Sequence, residues 1–298
     1  MQPIVQRIFS GDRHVIHSIV VPVRGDGKGD NVFAHAAILA GKYNAHIKVA
    51  HCRPRPEDLM PYGIAITAPL RKLLLSQSAD VADQVEQGMR QELETLAASM
   101  GVAMSDTVLV GKASASWVEE QGRQVDVIKR HGRIADLICV AKPDVDRNLG
   151  ANTLKAALFN TGRPVMMCPP ADVAPQTLCQ NIAIGWNGSA EASRAVALTM
   201  GIIESASQVS ILSAGTEING ADSESLQAYF ASRGIKATVV RFEAERKIGK
   251  ELLKQVASIN ADTLIMGAYS DSHERETIFG GNTQHVVDNA ETPVIFVH

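Results

Sequence analysis

The chain is poor in aromatic residues: 2 Trp, 4 Tyr and 7 Phe make up 4% of its 298 positions. So few rings exclude a platform that stacks successive bases of a single strand. A basic excess is missing too. Lys and Arg number 29 against 32 Asp and Glu, for a formal net charge of −3. A dedicated nucleic-acid binder would carry a basic stripe, so no nucleic-acid partner is expected. Cysteine is scarce, and Cys52, Cys139, Cys168 and Cys179 form no CxxC pair. They read as buried thiols in a reducing compartment. No apolar run approaches the roughly 18 residues that span a bilayer. The opening MQPIVQRIFSGDRH lacks the charged-then-apolar layout of a signal peptide. The expectation is a cytoplasmic protein without a membrane partner.

Catalytic patterns are also lacking. There is no HExxH spacing, no GxSxG elbow and no GxxxxGKS/T loop. The nine histidines and four cysteines show no zinc arrangement, so no metal site is expected. No spacing of hydroxyls and carboxylates assigns a catalytic residue, which points to binding rather than turnover.

What is present is an internal repeat. Ala135–Asp144 reads ADLICVAKPD and Ala261–Ser270 reads ADTLIMGAYS. Downstream, GANT at Gly150–Thr153 answers GGNT at Gly280–Thr283, and RPVMMC at Arg163–Cys168 answers TPVIFV at Thr292–Val297. The halves also open alike, with HSIVVPV at His17–Val23 and NIAIGW at Asn181–Trp186. A duplicated domain explains all four matches. It places one domain at residues 1–170 and the other at 176–298, joined across Pro169–Pro175.

Within each half, short β-branched runs alternate with helical patterns, which suits a parallel sheet buried on both faces. In the second half the spacing predicts strands at 181–186, 208–214, 236–242, 262–267 and 293–297. Helices are predicted near 189–204, 222–234, 245–260 and 281–290. In the first half it predicts strands near 16–23, 46–52, 104–110, 136–141 and 164–168. A proline-rich arm at 53–75 reads as a surface loop, a lid or a partner contact, and a long helix at about 76–100 follows it. The fold class expected is α/β: two tandem Rossmann-like domains, each a five-stranded parallel sheet of order 3-2-1-4-5 with helices on both faces. Ligands of such sheets bind beyond the carboxyl ends of the strands, where strand order reverses.

Two segments of the second half lie there. One is Trp186-Asn187-Gly188-Ser189, with Ser189 a good helix N-cap. The other runs from Met266-Gly267 through a polar loop to Gly280-Gly281-Asn282-Thr283 at the start of the last helix. Glycines at a helix entry let backbone N–H groups approach an anion. In these segments the sequence resembles the universal stress protein family in its tandem two-domain form. The family motif, Gly-x2-Gly-x9-Gly-Ser/Thr, becomes Gly267-x2-Ser270-x9-Gly280-Gly281. Ser270 stands for the second glycine and Gly281 for the hydroxyl residue. WNGSAEASRAV, Trp186–Val196, is similar to the family's Asp-Gly-Ser segment, with Asn187 for the aspartate.

The resemblance implies an adenine nucleotide, ATP or AMP, in the second half, with Mg²⁺ if it is ATP. Gly185, Asn187, Ala214, Met266 and Gly267 would lie near base and sugar. Gly280, Gly281, Asn282 and Thr283 would hold phosphates, with Ser270 in the loop above. It further implies a stress-response role in sensing or regulation, with at most weak ATP hydrolysis. The edge strands Pro164–Cys168 and Pro293–Val297 would meet as an intramolecular pseudo-dimer, and a homodimer could form through the proline-rich arm. In the first half Ala141 replaces the strand-end glycine and the loop to Gly150 is about four residues shorter, so that site is degenerate. The charged loop Arg24–Lys28 reads as solvated. The competing reading is a nucleotide-independent interaction module with degenerate sites in both halves, motivated by Ser270, Gly281 and the acids Asp271, Glu274 and Glu276.

Overall fold

The structure is a computed structural model that describes residues 16–23, 29–53, 67–144, 146–147, 149–171, 175–215, 220–244, 247–268 and 281–298; for residues 69–82 the description is of the backbone. The charged loop 24–28, most of the proline-rich arm (54–66), part of the linker (172–174) and the loop 269–280 lie outside the described residues.

The first half contains β1 (Ser18–Val23), α1 (Gly29–Tyr43), β2 (His46–Arg53), α2 (Ala68–Ser99), β3 (Ala103–Met104), β4 (Ser114–Gln121), α3 (Gln124–Gly132), β5 (Leu137–Ala141), α4 (Ala151–Thr161) and β6 (Val165–Cys168). The second contains β7 (Asn181–Gly185), α5 (Ala190–Leu198), α6 (Met200–Glu204), β8 (Gln208–Ala214), α7 (Ser223–Ala231), β9 (Ala237–Phe242), α8 (Ile248–Ser258), β10 (Thr263–Gly267), α9 (Gly281–Asn289) and β11 (Val294–Val297). All strands join one sheet of order β3-β4-β2-β1-β5-β6-β11-β10-β7-β8-β9. Counted within each half, this is the expected order 3-2-1-4-5. In the first half, however, a two-residue sixth strand, β3, lies outside β4.

The halves meet through their last strands. β6 and β11 pair antiparallel, with Ile295 opposite Met166, while every other strand pair is parallel. Each half thereby covers the edge that the other would expose. Contacts on both sides of the junction reinforce it. Tyr43 Oη and Ser205 Oγ lie 2.7 Å apart. Lys42 donates to the Cys179 carbonyl at 2.8 Å, and Lys142 donates to the Ala290 carbonyl at 2.9 Å.

Helices lie in two layers. One apolar cluster gathers Phe33, Leu93, Ile203 and Phe230 with the strand residues Ile295 and Val297. The other gathers Ile128, Leu154, Leu252 and Val286 with Val294 and Phe296. The alternation of β11 between these clusters is the two-residue period of a strand with both faces buried. Within each half, connections that move one way along the sheet lie on one face, and those that move back lie on the other, as right-handed crossovers require.

The repeated Ala-Asp pair has a structural duty. Asp136 Oδ2 accepts from the backbone N–H groups of His17 and Ser18 at 2.8 and 3.0 Å. Its counterpart Asp262 accepts from those of Gln180 and Asn181 at 3.0 to 3.2 Å. In both halves one carboxylate ties the start of the fourth main strand to the start of the first. The repeat was visible in the sequence, but this role was not.

Three expected elements are corrected. The third strand of the first half is Ser114–Gln121, not 104–110. The apolar run chosen there leaves Val108 and Val110 exposed at 63% and 97%. The true strand carries Ser114 and Ser116, whose hydroxyls lie 2.8 and 2.9 Å from the two ring nitrogens of buried His46. The long helix starts at Ala68 rather than near 76, so the end of the expected arm, 68–75, is helical. Proline is tolerated in a first turn, where its missing N–H is not needed. The helix expected at 189–204 is broken at Thr199, whose hydroxyl donates back to the Ala195 carbonyl at 2.6 Å.

Burial lowers the pKa of His46, with Lys48 adding to the effect. Burial also lowers that of His35, against the opposing hydrogen bond to the Asn31 carbonyl. Both are therefore held neutral in the fold. The unfolded chain takes up these protons near pH 6.5 and the folded chain only lower. Their contribution is thus complete above about pH 6.5 and is lost as pH falls toward the lowered folded values. The melting temperature should be flat from pH 7 to 8 and fall below about 6.5. His46→Gln should flatten the part of that slope that His46 supplies, as read by calorimetry across pH.

Candidate functional site

The reversal of strand order in the second half falls between β7 and β10, which pair with Met266 beside Gly185. The chain leaves β7 into α5 on one face and enters α9 on the other, so a crevice opens at the carboxyl ends of these strands. Gly185, Asn187, Ala214, Met266 and Gly267 are brought to the ends of the adjacent strands β8, β7 and β10. Gly281, Asn282 and Thr283 form the first turn of α9. Ser270 and Gly280 lie outside the described residues.

Each residue has local business. Asn187 is exposed, and its Oδ1 accepts from the Ser189 N–H at 3.1 Å. Ser189 caps α5, accepting from the Ala192 N–H at 3.2 Å. Gly185 and Met266 face α8. A Cβ on Gly185 would stand 3.4 Å from both Leu252 and Met266, and Met266 is itself buried in that layer. Gly267 faces the opposite layer, where a Cβ would come within 2.5 Å of the Ala192 nitrogen and 2.6 Å of the Glu191 carbonyl carbon. Its lack of a side chain lets the first turn of α5 rest on β10.

At the start of α9, Asn282 Oδ1 accepts from the Gly249 N–H at 3.2 Å. The amide thus satisfies one of the free donors at the start of α8 instead of turning into the crevice. Thr283 is buried. Gly281 differs from Gly185 and Gly267, because no described residue lies within 4 Å of where its Cβ would be.

The packing of Trp186 and the place of Gly220 were not expected. Trp186 is buried, and its Nε1 donates to the Ala221 carbonyl at 2.9 Å. Gly220, with φ of +134°, rests on Gly188, where a Cβ would come within 2.4 Å of the Gly188 carbonyl oxygen. Gly220 and Ala221 therefore pack over the β7–α5 turn. A tryptophan directly after a strand-end glycine was the available signal.

The corresponding end of the first half is built differently. Asp144 and Leu149 exchange both backbone hydrogen bonds, at 2.9 and 3.0 Å, which closes the shorter loop on itself. Gly150, at φ +85°, caps α4 against Pro143. Lys142, next to the strand end, reaches across to the last turn of α9. There a cation meets free carbonyls and the negative end of the helix dipole. Among the described residues no group of three His, Cys, Asp or Glu side chains could hold a metal ion. Nor is any helix of the described residues long and apolar enough to cross a membrane.

Two halves of doubly wound α/β topology, fused into one sheet and each with a switch-point end, define a tandem α/β fold. Residues 182–298 match the family described as the Universal stress protein family. A universal stress protein from Archaeoglobus fulgidus DSM 4304 aligns over 94% of this chain and 95% of its own, at 16% identity and a TM-score of 0.68. A functionally unknown protein from Pseudomonas aeruginosa PAO1 aligns over 95% of this chain and 93% of its own, at 15% identity and a TM-score of 0.54. A universal stress protein solved in complex with cAMP covers 40% of this chain and 97% of its own, at 17% identity and a TM-score of 0.31. No curated protein matches in sequence. The second half of the chain belongs to the universal stress protein family, and the whole chain has the fold of a tandem member.

Proposed function

We propose that this is a stress-response protein whose second half binds an adenine nucleotide, ATP or AMP, in a sensing or regulatory role without catalysis. Its two units are residues 1–170 and 176–298, the first acting mainly as support. The observation that carries this reading is the open first turn of α9 at the switch-point crevice. Backbone N–H groups at a helix start favour phosphate, and no described side chain lies against Gly281. Base and sugar would sit at the ends of β7, β8 and β10, by Gly185, Asn187, Ala214, Met266 and Gly267. Gly280, Gly281, Asn282 and Thr283 would face phosphate with their backbone, with Ser270 above. For ATP, Mg²⁺ would offset the loop acids Asp271, Glu274 and Glu276. A cytoplasmic location and pairing of two chains belong to the same proposal.

Purified protein, denatured and run on an anion-exchange column, should release an adenine nucleotide. Saturating ATP should raise the melting temperature. At a hundredfold excess over Kd the stabilisation is about 2.7 kcal/mol, or roughly 5–10 °C for a domain of this size. Gly281→Val should abolish that rise while leaving the ligand-free melting temperature in place, since the added side chain meets no described residue. Absence of both nucleotide and shift would overturn the proposal. The nucleotide-independent interaction module would then take its place. The engagement of Asn282 on α8 favours that second reading.

A further inference from the structure

The first half holds a cavity of about 150 Å³ between α1 and α2, over β1, β2 and β4. Its apolar lining includes Val23, Phe33, Val49, Leu93 and Trp117. Asp30, in the first turn of α1, and Glu92, on α2, also line it, and both are exposed. No described lining residue is basic. A volume of this order, walled by apolar side chains, admits a benzene-sized body. Helix α2 has 32 residues where the corresponding α7 has nine, so this wall is peculiar to the first half.

The polar groups behind the aromatic wall are fixed. Trp117 Nε1 donates to Glu86 Oε1 at 2.5 Å. The other carboxylate oxygen of Glu86 lies 2.5 Å from His51 Nδ1, and the His51 ring stacks on Trp117 with centroids 5.6 Å apart. His51 and Glu86 are 7% and 8% exposed. A buried imidazole and carboxylate thus hold the indole in one orientation, which is the preorganised wall a small-molecule site needs. Beyond β2, Arg53 meets Asp83 and Glu119, and on α2 Arg90 meets Glu94, so these described cations are already paired. Asp30 answers the positive end of α1, and Glu92 adds a second carboxylate.

We propose that this cavity binds a small amine carried on an aromatic-ring-sized apolar body. The body sits against Trp117, Phe33 and Val49, and the ammonium faces Asp30 and Glu92. The acidic rim disfavours the carboxylate of the same shape. This site is separate from the crevice of the second half, and its fate does not depend on nucleotide binding there.

The test uses the full chain labelled with 5-fluorotryptophan. It gives two ¹⁹F resonances, for Trp117 and Trp186, assigned with Trp117→Phe. 2-Phenylethylamine should move the Trp117 resonance saturably and leave that of Trp186 in place. 3-Phenylpropionate should not move it, and 2-phenylethanol should bind more weakly than the amine. The double variant Asp30→Asn, Glu92→Gln changes only exposed groups. It should weaken the amine about five- to tenfold and leave the alcohol unchanged. A Trp117 resonance that does not respond would overturn the proposal. So would equal binding of amine and carboxylate, or amine binding that the double variant leaves untouched.

Discussion

Ile295→Lys should destabilise the chain by about 3–5 kcal/mol, the cost of an uncompensated buried charge. Ile295 is fully buried and lies opposite Met166, where β6 and β11 pair antiparallel. The ammonium would enter the apolar layer that also holds Cys168, Trp186 and Val297. On a total stability of about 5–15 kcal/mol this is a large fraction. The junction has no alternative solvent-facing arrangement, because Val165, Met166, Met167, Val294 and Phe296 are all fully buried too. Burying such side chains contributes about 1.5–3 kcal/mol each. Urea unfolding followed by circular dichroism should show the lowered midpoint and a separation of the two halves into distinct transitions. Val110→Lys, at a position 97% exposed, should leave the midpoint unchanged. An Ile295→Lys protein as stable as the parent would mean that the β6–β11 pairing does not form.

That junction was legible in the sequence. RPVMMC and TPVIFV end their halves as short apolar runs, and an uncovered edge strand of that kind invites pairing. The start of the fourth strand of each half was equally legible, because the Ala135 and Ala261 segments repeat. What the sequence hid was polar chemistry inside the sheet. The strand Ser114–Gln121 looks too polar for a buried position until His46 is seen between Ser114 and Ser116. Its acidic end looks like a loop until Arg53 meets Glu119, and Arg130 and His131 meet Glu120. Hydrophobic periodicity carries no record of such pairings, so the exposed valines of 107–110 took the strand's place. The site was legible as a set of strand ends and one helix start. The direction of each side chain was not. Asn282 reads as a phosphate ligand by position, and its amide is engaged on α8. Met266 reads as a neighbour of the base and is a core residue under α8.

Gly267 is the sharpest instance, and Gly267→Ala tests it. A single methyl group there would stand 2.5 Å from the Ala192 nitrogen and 2.8 Å from Glu191 Cβ. Two of its three nearest atoms are backbone in the first turn of α5, so no rotamer change relieves the contact. The helix start must lift, at an overpacking cost of about 1–3 kcal/mol. Lifting it strains the Ser189 cap, which uses the same Ala192 N–H. It also disturbs the turn that Trp186 anchors through Ala221. The expected result is a lower urea midpoint together with a changed Trp186 environment, seen as a fluorescence difference before any ligand is added. Gly281→Val should show neither effect, since its Cβ meets no described residue within 4 Å. The two glycines of one motif thus separate by mechanism: one is required by helix-on-strand packing, the other leaves room at a helix start. A Gly267→Ala protein with parental stability and parental fluorescence would show that α5 does not rest on β10. The helix on that side of the crevice would then not be fixed where the nucleotide reading requires it.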